Sequence, residues 1–174
     1  GRSIQESYTT DPLCRMVEKA WAAGIVVVVA AGNNGRDNSM GTSGYATISS
    51  PGNDPLAITV GAMKDMGTTA RGDDLMASYS SKGPTLLDQI VKPDLVAPGN
   101  AVASALAPNS AIKDVYPNNV VPVSYYKVNS TSNTSSYYFR LSGTSMAAPM
   151  VSGAAALLLQ KQSSLTPDQV KARL

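Results

Sequence analysis

The stretch DPLCRMVEKAWAAGIVVVVAA, residues 11–31, decides the fold class of this chain. Its first part spaces apolar residues at helical intervals, so we expect an amphipathic helix with Asp11 as its N-cap and Gly24 at its end. The run IVVVVAA at 25–31 follows without polar alternation. Such a run is typical of a strand buried on both faces of a parallel sheet. A helix followed directly by a buried strand predicts an α/β domain.

Further elements are predicted towards the C-terminus. LAITVGAM (56–63) and LVAPG (95–99) have the composition of buried strands, and ASYSS (77–81) that of a shorter edge strand. A last helix is announced in SLTPDQVKARL (164–174), where Thr166 and Gln169 have the spacing of a capping box. The segment 104–140 is rich in Ser, Thr, Asn, Tyr and Val, and it predicts a β-hairpin or a long surface loop.

The stretch LSGTSMAAPM (141–150) places Ser145 in a Gly-Thr-Ser turn directly before an apolar segment. We expect a helix from Met146 to Gln160 that is apolar nearly all round and runs through the core, with Pro149 in its first turn. A serine at a helix start has the position of a nucleophile. The chain contains 0 histidines, however, so the usual proton acceptor is missing.

Composition excludes several classes of function. The net charge is +2 with both signs interspersed, so no basic stripe is available for nucleic acid. The apolar runs are too short to cross a membrane. The single Cys14 cannot form an internal disulfide, and without histidine it cannot build a zinc site of the usual ligands. We expect Cys14 to be a small buried apolar residue.

Chain order narrows the options for a nucleophilic serine. The G-x-S-x-G elbow is excluded because Ala147 holds its last position and no histidine follows. A Ser-Lys pair of the S-x-x-K type is not found at the glycine-serine turns. In the order Asp, His, Ser the serine comes last, so both partners would lie on its N-terminal side.

Five segments together resemble the C-terminal half of the catalytic domain of subtilisin-like serine peptidases. They cover nearly the whole chain in family order, with 104–140 as an enlarged insertion: AAGNNG (30–35), SPGNDPLAITVGAM (50–63), ASYSSKGP (77–84), KPDLVAPG (92–99) and GTSMAAPMVSGAAALLL (143–159). The second Gly-Thr-Ser, at 41–43, is not followed by an apolar helix. The resemblance implies a three-layer α/β fold, with a parallel sheet flanked by helices and a buried helix after the nucleophilic serine.

The resemblance also implies roles for individual residues. Ser145 resembles the nucleophile, and its own N–H would be one donor to the oxyanion. Asn33 resembles the side-chain donor of the oxyanion hole, because a carboxamide is a neutral donor at physiological pH. Ala30, Ala31 and Gly32 resemble one wall of the pocket for the residue before the cleaved bond. Pro51 matches a position associated with a cis peptide.

Simpler interpretations stay open for each feature. Ser145 alone is explained as a helix cap, and Asn33-Asn34-Gly35 as a turn. No cofactor or metal is expected, although Asp94 and the carbonyls near Gly52 resemble a weak site for calcium or another cation. Retention of Ser145 and Asn33 favours a peptidase over a non-catalytic interaction module with the same fold.

We interpret 1–174 as the C-terminal half of a subtilisin-like peptidase domain, truncated at both ends. The expected partners are a protein or peptide substrate and the missing N-terminal half, which would supply the catalytic Asp and His. The chain alone is expected to be inactive and to self-associate through exposed apolar surface and a free strand edge. The family is commonly exported, so we expect an extracellular location.

Overall fold

The computed structural model describes residues 1–131 and 137–174, and these form two compact units. Unit 1 consists of Gly1–Asn100 and Gly143–Leu174, and unit 2 of Ala101–Ser142. In chain order the helices and strands are α1 (Pro12–Ala22), β1 (Val28–Ala30), β2 (Ile58–Lys64), β3 (Leu75–Met76), β4 (Leu95–Pro98), β5 (Val102–Ala105), α2 (Ile112–Val115), β6 (Tyr138–Leu141), α3 (Thr144–Lys161) and α4 (Pro167–Lys171).

The sheet of unit 1 is centred on β2. This strand pairs in parallel with β1, where Val28 is opposite Ile58, and with β4, where Val60 is opposite Leu95. The two-residue β3 adds a short antiparallel pairing at the far end of β2. All of Ile58–Ala62 is buried, as expected for a strand with neighbours on both edges. The α/β class expected from the sequence is confirmed.

The helix α1 has the predicted boundaries and caps. Asp11 has extended backbone angles, and its carboxylate accepts a hydrogen bond from Leu13 N, which makes it the N-cap. The chain leaves the helix at Gly24, whose φ of 85° lies in the left-handed region that glycine favours. The side chains of Cys14, Val17 and Trp21 are buried on one face.

The Cys14 thiol is expected to be unreactive in the folded chain. Its side chain is 0% exposed, its Sγ donates to Asn53 Oδ1 at 3.4 Å, and burial raises the pKa of the thiol to about 12. Because the thiolate is the reactive form, native protein should react with a disulfide reagent at least ~100-fold more slowly than protein unfolded in guanidinium chloride. Rapid modification of the native chain would contradict this result.

The strand β1 is shorter and less buried than IVVVVAA predicts. Only Val28–Ala30 is extended in the sheet, all three residues are partly exposed, and Ile25 is 57% exposed. The prediction of burial on both faces is wrong here, because within the described residues β1 pairs with β2 alone and lies at the edge of the sheet. β4 also lies at an edge of the sheet in the described chain, and only Ala97 in it is buried.

Residues 77–81 form a turn and not the predicted edge strand. Ser80 N donates to Ala77 O at 2.9 Å, which closes the turn. The Ser80 hydroxyl accepts a hydrogen bond from Ala62 N at 3.0 Å, so a side chain replaces a backbone partner of β2. The alternating polar residues therefore serve side-chain hydrogen bonds and do not mark a strand.

The helix α3 is buried along one face and exposed along the other. It packs against β1, β2 and β4, with Thr144, Ala147, Val151 and Ala155 buried. Leu157 is 67% exposed, so the expectation that the helix runs through the core is wrong for the described chain. The helix also begins two residues earlier than predicted, which places Pro149 in its second turn and removes the hydrogen-bond donor for the Ser145 carbonyl.

The core of unit 1 lies between the sheet and the two longer helices. Its buried members are Trp21, Ile58, Val60, Ala62, Ala77, Ala97, Ala147 and Val151. The short helix α4 packs against α3 and has the predicted capping box, in which Thr166 and Gln169 exchange backbone and side-chain hydrogen bonds. No helix within the described residues is both long and apolar enough to cross a membrane.

Unit 2 is built on an antiparallel pair, β5 with β6, in which Val102 is opposite Leu141. Between these strands lie α2 and two short 3-10 helices, Pro117–Asn119 and Val123–Tyr125. The predicted hairpin or loop at 104–140 falls within this unit. Its part at 132–136 lies outside the described residues. That 1–174 is one truncated peptidase domain stays a prediction.

Candidate active site

The loop 31–35 leaves the end of β1 and is held by hydrogen bonds from two other segments. Ser49 N donates to Ala31 O at 2.9 Å, and Ser81 N donates to Gly32 O at 2.9 Å. Asn34 N donates to the Ser81 hydroxyl at 3.1 Å, and Gly35 N to Tyr79 O at 2.9 Å. The backbone on both sides of Asn33 is therefore fixed.

Glycine is required at position 32 for two reasons. Its φ of 111° is one that L-residues rarely adopt. A Cβ there would also lie 2.6 Å from Ser49 Oγ and 2.8 Å from Ser81 Oγ. Glycine at 32 therefore lets Ser49 and Ser81 come close enough to form their hydrogen bonds with the loop.

Ser145 occupies the second position of α3 and is exposed. The first turn of a helix leaves backbone N–H groups without intrahelical acceptors, and the helix dipole adds partial positive charge at this end. Two of these groups have acceptors here, since Thr144 N donates to Asn33 Oδ1 and Met146 N to Gly143 O. The Ser145 N–H lies between them, and helix geometry gives it no acceptor within α3.

Asn33 is bonded to the residue that precedes Ser145. Its Oδ1 accepts from Thr144 N at 2.9 Å and from Thr144 Oγ1 at 3.1 Å, and Thr144 Oγ1 accepts from Gly32 N at 3.1 Å. Thr144 is 1% exposed, so these bonds are shielded from water. The structure thus brings together two predicted site residues that are separated by more than a hundred positions in the chain.

The orientation of the Asn33 side chain follows from these bonds. Because Oδ1 is held by Thr144, the Nδ2 donor is the end of the amide left for another acceptor. Nδ2 lies 3.3 Å from the point where a Cβ on Gly143 would be, which is closer than most such contacts. Glycine at 143 leaves room for the amide, and Asn33 itself is exposed.

The start of α3 is fixed to the end of β4 as well. The Gly99 carbonyl accepts from Gly143 N and from the Tyr79 hydroxyl, both at 2.8 Å. Burial raises the pKa of the Tyr79 hydroxyl, so it remains protonated and keeps donating over the physiological range. The carboxyl ends of β1 and β4 therefore meet at the N-terminus of α3.

The predicted pocket wall has two accessible members. Ala31 is 0% exposed and its methyl group is enclosed by protein. Ala30 and Gly32 are partly exposed beside Asn33. The role of these three residues in substrate binding stays a prediction.

The oxygens of the predicted cation site already have partners. Asp94 accepts from Thr59 N and forms ion pairs with Lys92 and Lys171, while Gly52 O accepts from Thr59 Oγ1 at 2.8 Å. No group of three metal-binding side chains is present among the residues that the structure describes. The residues at Asp94 do not fit a metal ion in this arrangement. The Ser50–Pro51 peptide is cis, as the resemblance implies.

Thr144 is a member of the site that the sequence does not reveal. In the sequence, only its position between Gly143 and Ser145 points to it. A hydroxyl at that position, one residue before the serine, can reach a neighbouring strand. Such a threonine is common in turns, and only the fold shows that it bonds Asn33 and Gly32.

This arrangement can stabilise negative charge that develops beside Ser145. The Asn33 amide and the Ser145 N–H are neutral donors at one end of a helix of 18 residues, on a fixed backbone. An exposed hydroxyl next to such donors is the local geometry of acyl transfer. Proton transfer from Ser145 requires a base, and the chain has 0 histidines.

Known sequences that are similar to this chain are subtilases and other serine proteases. A model of the subtilase family matches residues 3–174. Serine protease AprX of Bacillus subtilis is 47% identical over 161 residues, which are 92% of this chain and 32% of that protein. Subtilisin DY of Bacillus licheniformis is 36% identical over 162 residues, 93% of this chain and 42% of that protein. An extracellular serine proteinase of a Thermus species is 38% identical and covers 91% of this chain and 27% of its own length.

Solved structures of subtilisin-like proteinases also superpose on this chain. A cold-adapted subtilisin-like serine proteinase superposes with a TM-score of 0.56 at 27% identity, covering 91% of this chain and 40% of its own. Sphericase has a TM-score of 0.62 at 26% identity and covers 99% of this chain and 46% of its own. The chain spans less than half the length of each of these proteins.

Proposed function

Because this chain belongs to the subtilase family, we propose that it is the C-terminal part of a serine endopeptidase that cuts peptide bonds through an acyl-enzyme on Ser145. The observation that carries the proposal is the pair of hydrogen bonds from Thr144 to Asn33 Oδ1, at 2.9 and 3.1 Å. These bonds put a carboxamide donor beside the start of α3, where Ser145 lies.

Ser145 acts as the nucleophile in this proposal. Its Oγ attacks the carbonyl carbon of the scissile peptide, and the Oγ proton passes through a base to the leaving amine as the C–N bond breaks. Water then gives a proton to the base and attacks the resulting ester. As the ester C–O bond breaks, the base returns a proton to Ser145 Oγ and the N-terminal part of the peptide leaves as the carboxylic acid. Asn33 Nδ2 and the Ser145 N–H donate to the carbonyl oxygen when it becomes negatively charged.

The base is proposed to be a histidine outside these 174 residues, held by an aspartate of the same domain. Two facts support this: the chain has 0 histidines, and it spans only 32% of AprX and 42% of subtilisin DY. Without triad members, an intact site retains only donor and binding effects, about 10³–10⁴ over the rate in water. This chain by itself is therefore proposed to be inactive.

The substrate is proposed to be a protein or peptide, bound with the side chain before the cleaved bond next to Ala30 and Gly32. An extracellular location is proposed because one relative is named as an extracellular proteinase. A non-catalytic interaction module remains the second candidate, supported by the missing histidine alone. Such a module would gain nothing from an exposed Asn33 amide bonded to the residue next to an exposed Ser145.

The proposal is tested by comparing the 174-residue chain with the complete protein. A fluorophosphonate, which modifies activated serines, is expected to label Ser145 stoichiometrically in the complete protein and not detectably in the chain alone. Peptide hydrolysis should follow the same pattern.

The association state of the chain is measured in parallel by light scattering, because exposed apolar side chains such as Leu157 at 67% and Met150 at 45% favour self-association. Stoichiometric labelling of the chain alone would contradict the need for an external base. A complete protein that is not labelled at Ser145 would favour the interaction module.

A further inference from the structure

Two lysine side chains converge on one carboxylate and three consecutive carbonyls in unit 1. Lys92 Nζ donates to Ala57 O at 2.9 Å and to Asp94 Oδ2 at 2.8 Å. Lys171 Nζ donates to the carbonyls of Pro55 at 2.7 Å, Leu56 at 3.2 Å and Ala57 at 2.8 Å, and lies 3.2 Å from Asp94 Oδ1. We call the carbonyls of 55–57 and the Asp94 carboxylate the oxygen cluster.

The oxygen cluster is fixed independently of the lysines. Asp54 Oδ1 accepts from Leu56 N at 2.8 Å and from Ala57 N at 3.4 Å, which holds the backbone turn that carries the three carbonyls. Asp94 Oδ2 also accepts from Thr59 N at 2.7 Å, at the start of β2. The oxygens are thus presented in a set arrangement by the backbone of 54–59.

One of the two ammonium groups is deeply buried. The Lys92 side chain is 1% exposed, against 23% for Lys171 and 21% for Asp94. Burial lowers the pKa of Lys92 to about 8, so at pH 7 the charged form still predominates. A buried charge is unfavourable unless its donors are paired, and here the partners are oxygens that carry full or partial negative charge.

We infer that Lys92 and Lys171 take the place of a metal ion in this oxygen cluster, so that the chain stabilises this end of the sheet with its own cations. Carbonyl and carboxylate oxygens are the ligands that calcium and other hard cations prefer. Two ammonium groups bring the same total charge as one calcium ion to the cluster's five oxygens. A simple surface ion pair would need only Asp94 and would not gather three main-chain carbonyls.

The consequence is that wild-type stability does not depend on added metal, whereas removal of the buried ammonium creates a metal requirement. The test measures the melting midpoint at pH 7 by circular dichroism, in choline chloride and in calcium or potassium chloride of equal ionic strength. Lys92→Met keeps the length of the side chain and removes its charge. Lys161→Met, at an exposed lysine of α3, is the matched control.

Wild type and Lys161→Met are expected to melt at the same temperature, within about 1 °C, in all three salts. Lys92→Met is expected to melt about 10 °C lower in choline chloride, since Ala57 O and Asp94 Oδ2 each lose a bond from the buried ammonium and Lys171 alone remains as the cation of the cluster. Calcium or potassium should restore at least half of that loss. Adding Asp94→Asn to Lys92→Met should abolish the restoration, because the carboxylate is then gone.

A metal-specific rise in the wild-type melting midpoint would overturn the inference, as would a Lys92→Met variant that no cation restores. If Lys92→Met does not fold, Lys171→Met supplies the same comparison with a milder loss, because its ammonium is partly exposed; failure of both metals to restore that variant would also overturn it. Thermal unfolding does not depend on peptidase activity, so this result is separate from that of the proposed function.

Discussion

In the complete protein, Ser145→Ala is expected to lower kcat by about 10⁶, with little change in KM. That magnitude is the one known for the nucleophile of subtilisin, which is itself a member of this family. The reason under the proposed function is that Ser145 carries an exposed hydroxyl at the start of α3, whereas the neighbouring Thr144 hydroxyl is buried and bonded to Asn33 and Gly32. The measurement is steady-state hydrolysis of a chromogenic peptide, with active sites counted by fluorophosphonate labelling in the wild type and by protein absorbance in the variant, which lacks the labelled serine.

The second Gly-Thr-Ser supplies the matched control for this experiment. Ser43 is exposed in a loop, with a φ of 52° and its N–H donating to Asn38 Oδ1 at 2.7 Å, and no helix follows it. Ser43→Ala should therefore leave kcat and labelling unchanged. Loss of activity in Ser43→Ala comparable to that in Ser145→Ala, or retention of most activity in Ser145→Ala, would contradict the assignment of the nucleophile.

Local signals in the sequence are sufficient to predict the helix ends of unit 1 at α1 and α4. Asp11 marks the start of α1 because its side chain accepts a hydrogen bond from a backbone N–H of the first turn. Gly24 marks the end because glycine readily adopts the left-handed conformation in which the chain leaves a helix. Thr166 and Gln169 mark the start of α4 in the same way. The seven-residue β2 is equally evident, because its neighbours on both edges bury the apolar run that its sequence shows.

Burial is harder to predict because it depends on which elements become neighbours. The apolar composition of IVVVVAA and α3 predicts that both are enclosed, but an edge strand and a helix that packs on one face of a sheet keep one side accessible. The alternation in ASYSS resembles that of a strand. Its serines are instead spaced to bond Ala62 N and Asn34 N across the fold.

The candidate site is predictable as a set of residues but not as an arrangement. Motif order points to Ser145 and Asn33, yet no sequence pattern shows that Thr144 connects them, because the connection spans β1 and α3. Asp94 resembles part of a weak cation site in sequence, and only the fold shows that Lys171 forms an ion pair with it. The bond of Thr144 to Asn33 and the ion pair of Lys171 with Asp94 both join polar side chains that are distant in sequence.

The second large effect is expected for Asn33→Ala in the complete protein. Removing the amide donor should lower kcat about 10²–10³-fold while KM changes little, because the donor interacts mainly with the charge that develops during the reaction. This magnitude also comes from subtilisin, the family's own example of the effect. Asn34→Ala is the control, since the Asn34 contact that fixes the loop is made by its backbone N–H. Equal losses in the two variants would contradict a specific role for Asn33.

Thr144 allows this role to be separated from simple stability. Thr144→Val keeps the shape of the side chain but removes the hydroxyl that donates to Asn33 Oδ1 and accepts from Gly32 N. If Thr144 positions the amide, its loss should lower kcat less than Asn33→Ala does, Thr144→Ser should restore activity, and the double variant should be no slower than Asn33→Ala alone. Fully additive losses would mean that Thr144 acts apart from Asn33, because a residue that only orients an amide has no effect on catalysis once that amide is removed.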